Sequence, residues 1–244
     1  MKKVIYIVIV LSAGMTLAAQ NAEEILEMVD KNMSSENRIF ESDMVIHGRR
    51  SSRTLSSRSY SVGDKQSFTE YLSPAREQGT KMLKLETQLW IYSPSTDRTI
   101  QISGHMLHQS VMGSDLSYED MMDDRELTEI YDATVVGNEQ VGDRSAYVLD
   151  LVAKVNDAAY HSQKVWIDTE RYIPLKQEMY AKGGKLLKRT TLSDVQKVQG
   201  RWFPMTMVYK DMLKDGDGTE FRIRSVKFDQ EIPEYIFTKA ALKQ

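Results

Sequence analysis

His105 and His108, followed by Asp115, Glu119, Asp120, Asp123 and Asp124, form the densest run of groups able to ligate a metal or move a proton. On one helical face, two histidines three residues apart can share a metal ion, and carboxylates beside them could activate water for ester or phosphoester hydrolysis. Gly104 and Gly113 interrupt the helix that this would need, and acidic residues at a helix start answer the helix dipole without any metal. The stretch therefore reads first as the polar side of a covering segment. Asp115, Glu119 and Asp120 are kept as the weak metal candidates of an alternative, lipid-acting enzyme.

Other chemistries are excluded more firmly. The chain has no cysteine, which rules out disulfides, thiolate metal sites and cysteine nucleophiles. No Gly-x-Ser-x-Gly elbow and no Gly-x-x-x-x-Gly-Lys phosphate loop occurs. Asp215-Gly216-Asp217-Gly218 lacks the remaining ligands of a calcium loop and reads as a solvated turn. His47 and His161 fall on strands as ordinary histidines. Formal charge is −3, and removing the first nineteen residues takes away Lys2 and Lys3 but no acid, leaving −5. Nucleic acid is thus not an expected partner, and no cofactor is expected.

What the sequence has in quantity is adaptable apolar surface. Met106, Met112, Met121 and Met122 crowd a segment that fits no strand alternation. Methionine moulds itself to variable chains and suits the lining of an acyl pocket, although it also fills gaps in ordinary cores.

The elements that would hold such a pocket follow from periodicity. Asn21 caps a helix in which Ile25, Met28, Val29 and Met33 recur at helical spacing, with Glu24 at the third position. From Met44 onward a period of two dominates, through Phe68 to Leu72, Lys81 to Leu85 and Leu89 to Tyr92. It resumes after residue 133 in seven further strands separated by turn residues. Between the two sets, Gly104 to Asp124 reads as a long loop and a short helix beginning near Ser117. The expected fold class is mainly β (α+β): a strongly curved antiparallel sheet or an incomplete barrel, with the N-terminal helix and the loop-helix lid on its concave side. Pro233 to Phe237 should tuck against the sheet.

Lys2-Lys3, the apolar run Val4 to Leu11 and the small residues up to Ala19 have the three regions of a signal peptide. The apolar run is shorter than the roughly 20 residues of a membrane span. Residues 1–19 are expected to be cleaved and residues 20–244 to form a single domain, in the periplasm or secreted. Without a cysteine at the cleavage point, lipidation is excluded.

Three motifs carry a family resemblance. They are Leu72-Ser73-Pro74-Ala75-Arg76-Glu77-Gln78-Gly79-Thr80, Leu89-Trp90-Ile91-Tyr92-Ser93-Pro94, and above all Met112-Gly113-Ser114-Asp115-Leu116-Ser117-Tyr118-Glu119-Asp120. Val165-Trp166-Ile167-Asp168, Tyr172-Ile173-Pro174-Leu175 and Gly200-Arg201-Trp202-Phe203-Pro204 extend it over nearly the whole mature chain. In these the chain resembles the outer-membrane lipoprotein-sorting proteins, relatives of the carrier LolA. The resemblance implies an open half-barrel of antiparallel strands with helices closing an apolar cavity, in a periplasmic carrier that holds the acyl chains of a lipoprotein or phospholipid and helps move them toward the outer membrane. Membrane transport proteins of the inner and outer membrane are then partners to expect, and a monomer the expected state. A non-carrier envelope scaffold is the remaining alternative. On the carrier reading Met106, Met112, Tyr118, Met121 and Met122 of the lid, with Trp90, Tyr92, Trp166, Trp202, Met205 and Met207 of the sheet, are the candidate cavity residues.

Overall fold

The computed structural model describes residues 21–48 and 51–244. The expected signal peptide lies outside the described residues. Helix α1 (Ala22–Met33) starts where Asn21 accepts a hydrogen bond from the Glu23 N–H at 3.2 Å, and Glu23 and Glu24 occupy its positive end. Ala22, Ile25, Leu26 and Val29 form its buried stripe, at the i, i+3, i+4, i+7 spacing of one helical face.

Among the described residues thirteen antiparallel strands follow, in one sheet. The first six are β1 (Asn37–His47), β2 (Ser52–Val62), β3 (Gln66–Ser73), β4 (Lys81–Leu85), β5 (Gln88–Ser93) and β6 (Arg98–Ile102). After the covering segment come β7 (Tyr131–Val141), β8 (Arg144–Ala153), β9 (Ser162–Asp168), β10 (Pro174–Tyr180), β11 (Leu186–Val198), β12 (Arg201–Asp211) and β13 (Thr219–Phe228). Each half is a meander of neighbouring hairpins, and the halves join where β1 pairs with β13. Irregular register between Glu41 and Ser42, Ser56 and Ser57, and Val135 and Gly137 bends the strands locally. The curved sheet does not close, so β6 and β7 remain its two edges.

That topology dictates the cover. The edge strands are consecutive in the chain, so the segment joining them must cross the open concave face. It does so as a 3-10 turn (Gly104–His108), a second turn (Val111–Gly113), α2 (Tyr118–Met122) and α3 (Leu127–Ile130). Up to α2 this segment packs on β1 to β6, with Val111 and Leu116 buried against Met44, Leu55, Tyr71, Met82, Leu89 and Ile102, whereas α3 packs with α1. Helix α1 packs on the opposite half, against Leu149, Leu151, Val165 and Ile167.

The convex face is covered only in part. There Phe237, Ala241 and Leu242 of the C-terminal segment lie on Phe68, Leu83 and Trp90. Sequence periodicity misses β6 and shortens β1 and β7, because Arg98 to Gln101 and much of β7 are exposed and carry little apolar alternation.

Candidate functional site

The lid is built from its own sequence and then tied to the sheet. Ser117 caps α2, its backbone and side chain both donating to Asp120 at 2.7 Å while Asp120 N–H donates back to the serine hydroxyl at 3.1 Å. Buried Asp115 accepts from the Thr219 hydroxyl and the Asp211 N–H, each at 2.9 Å. Asp120 pairs with Lys188 and accepts from the Tyr160 hydroxyl. Burial opposes ionisation of Asp120, but Lys188, Tyr160 and Ser117 outweigh it and hold the carboxyl below its ordinary range. Burial first, and Asp120 second, push the Tyr160 hydroxyl upward, so it stays a proton donor.

Further along, Asp124 meets Arg38 at 2.8 Å and Lys84 at 3.3 Å. Asp30 of α1 accepts from the backbone of Leu127 and Thr128 and from the Thr128 hydroxyl, at 3.0, 3.1 and 2.8 Å. The first turn of α3 is therefore capped by a carboxylate from another helix.

Between lid, α1 and sheet lies a cavity of about 560 Å³. Val29 and Met33 of α1 and Leu116 and Met121 of the lid roof it. Its floor is divided. Phe203, Met207, Phe221 and Ile223 make an apolar side on β12 and β13, whereas Ser57, Ser59 and Thr69 face it from β2 and β3. Ser59 and Thr69 bond each other at 2.8 Å. A recess of about 220 Å³ continues beneath Tyr160, sharing Gln177 and Tyr209 with the main cavity. Burial pushes the Tyr209 hydroxyl up to about 12, so it is neutral there.

Strand parity turns the expected tryptophans and Tyr92 away from the cavity, and packing divides the remaining candidates. Met121 and Met207 line the cavity. Met106, Met112, Tyr118 and Met122 pack between lid and sheet, and Met205 sits in the core with Phe203 and Phe228. Trp90 and Tyr92 point outward to the C-terminal segment because Leu89 and Ile91, alternating with them, take the inward face. Trp166 is likewise outward, its ring 3.4 Å beneath the Lys176 ammonium and its N–H bonded to Glu139 at 2.7 Å. Trp202 stacks near Arg171, 5.1 Å away. Aromatic size does not reveal which face of a strand is concave, so sequence alone could not separate these from the wall. Phe221, Ile223, Phe203 and the serines of β2 were legible only as alternating positions.

Asp115, Glu119 and Asp120 turn to different partners. Glu119 meets His108 at 2.9 Å at the surface, away from the anchors of Asp115 and Asp120, and His105 is exposed. Among the described residues no three histidine or acidic side chains converge as a metal site.

A family model described as an uncharacterized protein matches residues 63–244. No curated protein matches the chain. Among solved structures, a domain from Vibrio parahaemolyticus assigned to outer-membrane lipoprotein sorting is 26% identical, with a TM-score of 0.77 over 92% of this chain and 100% of that one. A DUF1329 family protein from Desulfovibrio piger is 24% identical, with a TM-score of 0.82 over 91% and 97%. A LolA superfamily protein from Nitrosomonas europaea is 24% identical, with a TM-score of 0.73 over 91% and 100%. All three have this curved-sheet fold.

Proposed function

The chain belongs to the family whose model spans residues 63–244, and from that premise and its LolA-like fold we propose that it is a carrier of acyl chains. It works outside the cytoplasm, in the periplasm, as one domain that takes a lipoprotein or lipid from one membrane component and yields it to another. The observation that carries this reading is the cavity of about 560 Å³ between α1, the lid and the divided sheet floor. Small-molecule sites fall in the range of about 300–1,000 Å³. Among the described residues no helix is long and apolar enough to cross a membrane.

The energetics fit a carrier that must also let go. Burying a methylene contributes roughly 0.8 kcal/mol, so a chain of about fifteen gains on the order of 12 kcal/mol before ordering costs. Such a ligand stays bound in water and leaves only if the roof opens or an acceptor offers similar affinity. The roof is held by separable polar ties, Asp115 to Thr219 and Asp120 to Lys188, rather than by continuous strand pairing. Wall residues on this reading are Met121, Met207, Phe221 and Ile223, with Met106, Met112, Tyr118 and Met122 supporting the closed lid. The enzyme alternative has less behind it, since Asp115 and Asp120 are spent on anchoring the roof and Glu119 pairs with His108 at the surface.

Native mass spectrometry of gently purified protein tests the proposal. Acylated species should co-purify in stoichiometric amount, and their removal should allow reloading with a fluorescent acyl probe. Protein that emerges empty and takes up no probe would end the carrier reading.

A further inference from the structure

We propose that the recess beneath Tyr160 is the polar-end subsite of the cavity and that it selects cargo whose polar end is uncharged: an ester, amide or hydroxyl group, as in an acylglycerol or an N-acyl amide. This rests on the carrier reading and names its substrate class.

The charges around the recess are already matched within the protein. Lys188 is taken by Asp120, Arg189 meets Glu178 at 2.9 Å, Arg125 meets Asp123 at 2.8 Å, and Lys210 lies 4.0 Å from Asp115. A buried anion or cation would have to displace one of these pairs and leave a charge without its partner, which is costly away from water.

The groups left uncommitted are neutral. Thr190 is 4% exposed, lines the recess, and its hydroxyl has no partner among the described residues. Gln177 stands directly opposite Thr190 in the register of β10 and β11, and no described group bonds its amide. Gln163, on β9, donates to the Tyr131 hydroxyl at 2.8 Å and keeps its carbonyl oxygen for another donor. An amide and a hydroxyl side by side can both give and accept hydrogen bonds, which matches a carbonyl or an alcohol and costs no charge burial. Gln177 lines both compartments, so a polar group held there lets its chain run along Phe203, Met207 and Phe221.

The test uses the full mature chain, freed of co-purifying lipid, with two probes of equal chain length, monopalmitoylglycerol and palmitate. Both are measured by displacement of a fluorescent acyl probe, below their aggregation concentrations and at neutral pH, where a carboxylate is ionised. Wild type should bind the glyceride about tenfold more tightly than palmitate. Thr190→Val, which keeps the shape and removes an unpaired hydroxyl, should weaken glyceride binding about fivefold and leave palmitate within about twofold. Gln177→Leu should do the same, and thermal melts verify that both variants fold. Palmitate binding as tightly as the glyceride, or both probes weakening together, overturns the assignment of the subsite while leaving the carrier reading in place. Folded wild type that binds neither probe overturns both.

Discussion

At the residue scale, the acidic run of the lid is put to structural use. Asp120 titrates below its ordinary value of 3.8 in the folded protein. A carboxyl with a depressed folded pKa adds stability above its unfolded pKa, and that stability is lost as pH falls through the folded value. The difference in melting temperature between wild type and Asp120→Asn should be steady from about pH 5 to pH 8 and shrink below about pH 4. A gap that persists undiminished in acid would show that Asp120 acts through packing alone. The methionines divide in a comparable way. Met205 is buried in the core, so Met205→Ala should cost about 2–5 kcal/mol in urea unfolding. Met121 is half-buried at the cavity roof, so Met121→Asp should lower acyl-probe affinity more than about tenfold while changing stability far less. Loss of stability and affinity in equal measure would place Met121 in the core instead.

At the element scale, α3 is too short to stand alone, and its start is borrowed. Isolated helices of under about 12 residues are marginal in water, whereas α3 has four and takes its cap from Asp30 on α1. Asp30→Ala leaves those N–H groups without their acceptor and should cost about 1–2 kcal/mol. Hydrogen exchange should accelerate at Leu127 and Thr128 in particular, and uniform acceleration across α1 and the sheet would argue against a local cap. The lid turns rely on backbone freedom at two points. Gly104 and Gly113 have φ of +56° and +74°, and a Cβ on Gly113 would come within 3.2 Å of the Arg53 guanidinium. These are the positions that the sequence marks as interruptions in any helix there.

For the whole molecule, the order of strands decides where mobility concentrates. β1, β12 and β13 lie inside the sheet with partners on both sides, while the lid spans its open mouth between the two edges. Regions held by few continuous backbone bonds open at lower free energy than the global transition. Native-state hydrogen exchange should therefore release lid amides between residues 104 and 130 before those of β12 and β13, and bound acyl ligand should slow the lid selectively. Exchange of the lid only with global unfolding would mean that it does not gate the cavity.

The sequence by itself determined the strand and helix periods, the capped start of α1, the approximate start of α2, and the break in alternation that marks the lid, since each depends on neighbours only a few residues away. The resemblance carried by Met112 to Asp120 added the fold. Which strand face is concave was left to tertiary structure, because period two distinguishes two faces without saying which one curves inward. That choice turned Trp90, Tyr92 and Trp166 outward and brought Phe221, Ile223 and the β2 serines into the cavity. The partners of Asp115 and Asp30 were equally hidden, for Thr219 and Leu127 stand about a hundred residues away in the chain and meet them only once β1 has paired with β13 and the lid has crossed the sheet.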